Sequence, residues 1–189
     1  MKKYLLFIFL ILFGSITKAQ PGANDPTFNP GDQGFDYGAG ADNRINTIAI
    51  QNDGKIIIAG QLNSYNGALN NRIARLNDDG SVDAAFYSGS GANYEIFATA
   101  VQNDGKIIIA GNFTSYNGTA IKRVARLNTN GTIDASFNIG TGISHCVYAT
   151  AIQSDGKIIV AGDFDTINGT PSYRSARLNT DGSLDTTFS

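Results

Sequence analysis

One pentapeptide constrains this chain more than anything else in it. Gln51-Asn52-Asp53-Gly54-Lys55 returns as Gln102-Asn103-Asp104-Gly105-Lys106 and again as Gln153-Ser154-Asp155-Gly156-Lys157, each copy 51 residues after the last with no gap. The register holds elsewhere in the unit. Ala59-Gly60 recurs as Ala110-Gly111 and Ala161-Gly162, and Ala74-Arg75-Leu76-Asn77 as Ala125-Arg126-Leu127-Asn128 and Ala176-Arg177-Leu178-Asn179. A fixed period of this length belongs to solenoids, propellers and arrays, in which each copy is one supersecondary unit that buries its apolar faces against its neighbours.

Turn chemistry cuts each unit into four strands. Strand A spans about 45–51, and Asp53-Gly54 is expected to supply the two positive-φ positions of a tight hairpin. Strand B begins at Lys55 and carries Ile56-Ile57-Ile58, apolar on both faces and so suited to a strand covered from two sides. Asn66-Gly67 turns the chain, 72–77 forms strand C, Asp79-Gly80 turns it again, and Val82 to Phe86 is expected to form strand D. Ala49, Ala100 and Ala151 place a small side chain in strand A, as an inner strand crowded at an axis requires. Four antiparallel strands per unit make a propeller blade. Glycine, asparagine and aspartate are plentiful, glutamate occurs once and tryptophan never, a composition for short strands and turns rather than helices. A right-handed β-helix would use shorter coils, and a kelch-type propeller would have Gly-Gly where this chain has Ala-Gly; both are all-β as well.

The string DGKIIIAG, followed by SYNG, ARLN, a DG or NG turn and Asp-x-x-Phe, resembles the delta-60 repeat family, predicted β-propeller modules of bacterial secreted and surface proteins. The resemblance runs from Asp25 to Phe188. It implies a propeller fold, often with further repeats and a sorting domain in the full-length protein, and brings no catalytic or ligand motif.

The expected fold is therefore all-β, with three four-stranded antiparallel blades (41–91, 92–142, 143–189) in an incomplete, open ring. Asp25-Pro26-Thr27-Phe28 copies the Asp83–Phe86, Asp134–Phe137 and Asp185–Phe188 endings, so a leading strand D occupies the segment 20–40 while the last blade has its own. Propellers typically have four to eight blades. The sequence thus reads as a piece of a longer chain, or as one whose copies associate.

Lys2 and Lys3, the apolar run 4–13 and the small-residue pattern Thr17-Lys18-Ala19 form a signal peptide over 1–19, with cleavage after Ala19. The run is too short for a membrane span, and none is expected after cleavage. The 14 basic and 16 acidic residues become 11 and 16 when Lys2, Lys3 and Lys18 leave, a net charge of −5 with no basic footprint for nucleic acid. The lone Cys146 can form no internal disulfide, so packing must hold an exported domain together.

Little chemistry is visible. Asp53, Asp104 and Asp155 are turn formers. His145 and Cys146 are adjacent on a strand and point to opposite faces, which disfavours a nucleophile–base pair. Asn77, Asp79 and Asp83 resemble part of a calcium loop, but the closing bidentate glutamate is missing and the middle copy keeps one carboxylate, so an Asx turn is the better reading. Arg75, Arg126 and Arg177 are expected to pair with the Asp83-type carboxylates. No metal, cofactor or catalytic residue is assigned.

The units differ most in the D-to-A connection and the B-to-C loop. Asn43, Tyr94 and His145 replace one another, as do Arg44, Glu95 and Cys146. Loops on a rigid scaffold are where binding is usually placed. The candidate site is therefore Asn43, Arg44, Tyr94, Glu95 and His145, on an exported module that binds an extracellular protein or glycan and performs no catalysis. An enzyme acting on extracellular polysaccharide and a non-binding spacer are the alternatives.

Overall fold

The computed structural model describes residues 25, 27–28 and 40–188; the signal-peptide expectation over 1–19 lies outside them. These residues form fifteen strands and no helix. The first blade contains β1 (Ile45–Ile50), β2 (Ile56–Gly60), β3 (Ser64–Tyr65), β4 (Ala68–Leu69) and β5 (Ile73–Leu76). The second contains β6 (Ile96–Val101), β7 (Ile107–Gly111), β8 (Ser115–Tyr116), β9 (Thr119–Ala120) and β10 (Val124–Leu127). The third contains β11 (Val147–Ile152), β12 (Ile158–Gly162), β13 (Thr166–Ile167), β14 (Thr170–Pro171) and β15 (Ser175–Leu178). Each blade is an antiparallel meander, β1-β2-β5 and its equivalents, with a two-stranded hairpin in the B-to-C loop.

The fourth strand is shorter than the sequence suggested. Val82 bridges Leu76, and there pairing stops. Asp83 ends it: its Oδ1 accepts from the Ala85 N–H at 3.0 Å and its carbonyl from the Phe86 N–H at 3.1 Å, closing a turn over 83–86. The chain then leaves for the second blade, where the Tyr87 N–H donates to the Asn130 carbonyl at 2.7 Å. Asp25, Thr27 and Phe28 repeat these bonds, with Phe28 N–H to the Asp25 carbonyl at 3.2 Å and Thr27 N–H to Asp25 Oδ1 at 2.8 Å.

Turn types differ from expectation as well. At the A-to-B turn only Gly54 has positive φ, at 84°; Gly54 N–H reaches the Gln51 carbonyl and Gln51 N–H the Lys55 carbonyl, a three-residue loop with a glycine bulge. The two-residue turn with both φ positive lies at Asn66-Gly67, 47° and 73°, which joins β3 to β4. Arg72 also has positive φ, 70°, so it precedes strand C rather than starting it.

Alternation along strand B builds the core. Ile57, Ala59 and Ile73 pack with Ile107, Ile109 and Leu127 between the first two blades. Ile108, Ala110 and Val124 pack with Ile158, Val160 and Leu178 between the second and third. The middle strand is therefore buried on both faces, which is why it can be Ile-Ile-Ile; each such side chain contributes about 1.5–3 kcal/mol. Strands β1, β6 and β11 lie side by side as the inner strands, and Thr47 Oγ1 meets Thr99 Oγ1 at 3.0 Å. Among the described residues no broad contact joins the first blade to the third, and the three blades form an open arc. Val101 and Ile152 pack against the preceding blade, whereas Ile50, at the same position of the first blade, is 71% exposed.

A repeated latch ties the blades together. Asp83 Oδ2 accepts from Arg75 Nε at 2.7 Å and Lys55 Nζ at 2.8 Å, and the Arg75 guanidinium lies 5.0 Å from the centre of the Phe86 ring. Asp134 with Arg126 and Lys106, and Asp185 with Arg177 and Lys157, repeat it. The same arginines reach the next blade, Arg75 donating to the Thr129 carbonyl and Arg126 to that of Thr180 at 2.7 Å. The expected arginine–aspartate pair is thus present, joined by a lysine.

Candidate functional site

Where each D-to-A connection enters strand A, the pairing skips a residue. Ile45 pairs with Gly60 and Thr47 with Ala59, so Asn46 is the extra residue of a bulge; Phe97 and Tyr148 occupy the same place in the other blades. A bulge bends the strand and re-aims the side chain that it releases. The partner must be glycine, because a Cβ on Gly60, Gly111 or Gly162 would fall within 2.2 Å of the carbonyl oxygen of Arg44, Glu95 or Cys146 respectively. The recurring Ala-Gly pair is the sequence trace of these bulges.

The bulged residues belong to the face on which the sequence placed its candidates. Phe97 and Tyr148, from adjacent blades, have ring centroids 5.3 Å apart, tilted by 50°. Tyr148 donates to Asp163 Oδ2 at 3.3 Å, and Asp163 Oδ1 accepts from Arg174 NH1 at 2.8 Å. Repulsion from Cys146, then partial burial and Asp163, raises the Tyr148 hydroxyl above its ordinary pKa.

Of the candidates, Arg44 and Glu95 come together across the first blade boundary, Arg44 NH2 lying 3.8 Å from Glu95 Oε2, with the Gln61 amide donating to Glu95 Oε1. Tyr94 is 57% exposed. Asn43 caps its own turn, its Oδ1 accepting from the Arg44 N–H at 2.7 Å. His145 is not joined to this group; its Nδ1 lies 3.9 Å from Asp165 Oδ1, both exposed. Sequence reasoning missed the bulged residues and Gln61, Asp163 and Arg174. Asn, Phe and Tyr alternating beside an invariant glycine partner was the available signal.

Other polar loop residues are structural. Asp42 Oδ1 accepts from the N–H groups of Asn63 and Ser64 at 2.7 and 3.0 Å, and Asn93 Oδ1 does the same for Thr114 and Ser115. The carboxylates considered for calcium are also committed. Asp79 caps Ser81, and Asp83 is held by two cations. No cluster of three or more metal-ligating side chains occurs among the described residues.

The family described as "Domain of unknown function (DUF5122) beta-propeller" matches the chain three times, over residues 51–86, 102–137 and 153–188. Each match runs from the A-to-B turn to the end of the Asp83-type turn. All five candidate residues, and the three bulged ones, fall outside the matched segments. No curated protein matches. Among solved structures, that of a protein of unknown function from Bacteroides caccae, a crystal structure at 1.35 Å resolution, is similar at 14% identity with a TM-score of 0.45. The similarity covers 72% of this chain and 46% of that one, so the chain spans less than half the length of that structure.

Proposed function

The chain belongs to the DUF5122 beta-propeller family, and from that premise we propose that it is an exported interaction module. In this reading its delta-60-type repeats hold a binding face, made of the D-to-A and B-to-C loops, toward an extracellular or cell-surface protein or glycan. One observation carries it: at a backbone feature that all three blades share, the bulge, the side chains differ from blade to blade as Asn46, Phe97 and Tyr148, while the packing around them repeats. A scaffold that keeps its bulges and varies what they display is built for presentation. The reading is non-catalytic, because the buried acids are committed to ion pairs. Further repeats or a second copy would cover Ile48 and Ile50; light scattering reads self-association, and a monomer at every concentration rules it out.

The test compares two faces. Mature protein is screened against a glycan array and a panel of purified surface proteins. A Tyr94→Ala/Glu95→Ala variant should lose the interaction found, and an Asp53→Ala/Asp104→Ala variant at the opposite end of the blades should keep it. The reverse pattern refutes the assignment of the face. Export is read by N-terminal sequencing of secreted material, with Gln20 expected first.

A further inference from the structure

We propose that the Phe97–Tyr148 pair, with Asp163 and Arg174 beside it, is a subsite for a neutral pyranose unit of a polysaccharide; this rests on the loop-face reading above and names its ligand class. Three observations lead there. The scaffold does not require rings at these positions, because the first blade carries Asn46 there and donates its side-chain amide to the Ile96 carbonyl at 2.9 Å. Where rings do occur, they occur in adjacent blades and meet at 5.3 Å, with Tyr148 49% exposed. Solvent-facing aromatic surface costs free energy unless something covers it.

The second observation is the chemistry around the rings. An aromatic face is electronegative and attracts weakly positive C–H groups, which one face of a pyranose presents as a patch. The hydroxyls at the sugar's edge need planar, two-pronged partners. Glu95, two residues before Phe97, is already aligned by Gln61 and Arg44, and Asp163, aligned by Arg174, accepts the Tyr148 hydroxyl. Carboxylate, amide and guanidinium groups fixed by one another are preorganised acceptors and donors for vicinal hydroxyls.

The third is charge. The arginine tied to the rings, Arg174, is matched by Asp163, and Arg44 by Glu95; elsewhere on the loop face Arg72 and Arg123 are turned to the carbonyls of Gln61 and Asn112. With the arginine at the ring pair neutralised, the subsite suits a neutral sugar rather than a uronate or sulfated one.

Affinity electrophoresis of the full secreted chain through gels containing laminarin, xylan, mannan or alginate tests this, with calorimetry on any polysaccharide that retards it. Retardation by at least one neutral polysaccharide and not by alginate is expected. Tyr148→Ala and Phe97→Ala should each weaken it by about tenfold or more, whereas Tyr148→Phe, which keeps the ring, should stay within about threefold. Thermal midpoints report whether each variant folds. If Phe97→Ala does not, Phe97→Leu keeps apolar volume without the ring and should still lose binding. No retardation by any neutral polysaccharide overturns the proposal, as does retardation that neither ring variant changes. Binding of a protein that is lost in Tyr94→Ala/Glu95→Ala, without any polysaccharide binding, overturns the sugar subsite and leaves the loop-face reading standing. Polysaccharide binding lost only in Asp53→Ala/Asp104→Ala overturns both.

Discussion

Replacing Asp134 by asparagine should unfold the arc from its middle. Asp134 Oδ2 accepts from Arg126 Nε at 2.7 Å and Lys106 Nζ at 2.9 Å, and Oδ1 accepts from the N–H and Oγ of Ser136 at 3.0 and 2.7 Å. An amide keeps one acceptor oxygen, so either the turn or the cation pair must face an NH2 group. Two charge-assisted bonds at about 1.5–3 kcal/mol each are at stake. Lys106 recovers part of its loss because its side chain is 30% exposed, whereas that of Arg126 is 9% exposed and cannot. The expected cost is about 4 kcal/mol, in the range for breaking a buried ion pair from one side. At two to four degrees per kcal/mol, that is a fall in Tm of about 8–16 °C. Asp104→Ala, by contrast, removes one exposed Asx bond to the Lys106 N–H and should cost about 0.5–1 kcal/mol. Urea unfolding followed by circular dichroism measures both. Acid provides a second reading. Burial opposes ionisation of Asp83, but hydrogen bonds from Lys55, Ala85 and Arg75 prevail and hold its pKa at about 2, and Asp134 is lowered similarly. A carboxylate depressed in the folded state stabilises the protein above its unfolded pKa near 3.8 and loses that contribution as pH falls toward the folded value. The gap between wild type and Asp134→Asn should therefore be full well above pH 3.8 and narrow steadily as pH falls below it, toward the depressed folded value of Asp134. A loss under about 1 kcal/mol, or a gap that does not change with pH, would refute the latch as a structural tie.

Gly111→Ala places a Cβ 2.2 Å from the Glu95 carbonyl oxygen and 2.9 Å from Ile96 Cα, so it should cost about 1–3 kcal/mol and shift the near-UV spectrum of the Phe97–Tyr148 pair; an unchanged spectrum and midpoint would mean that the bulge is not rigid. Ile108→Asp buries an unpaired carboxylate between two blades and should abolish cooperative folding, at a cost of several kcal/mol; a urea midpoint comparable with that of Asp104→Ala would mean that strand B is not a two-sided core.

What the sequence determined by itself was whatever local chemistry repeats. The constant spacing of 51 residues, the glycine turns and the Ile-Ile-Ile run specify an all-β array of blades, because turn preference and side-chain alternation act within a few residues. The pairing of Arg75 with Asp83 was legible for the same reason, since both lie in one unit, eight residues apart. The tertiary structure decided what depends on a second blade or on backbone geometry. Asp-Gly at 53–54 was read as a two-residue turn, but adjacent Asn52 makes an equally good loop with a single positive φ, and only the strand pairing chooses between them. Strand D stops at Val82 because the Asp83 side chain competes for the next N–H, a bond that an aspartate offers in many contexts and takes in few. Arg75 reaching the Thr129 carbonyl spans 54 residues of sequence, and no local pattern encodes it. The bulges lie between: Gly60, Gly111 and Gly162 repeat visibly, yet the reason for them, a backbone oxygen where a Cβ would be, exists only once two strands are paired. That non-local contact is what puts Phe97 beside Tyr148, and so the candidate site, unlike the scaffold, was decided by the fold.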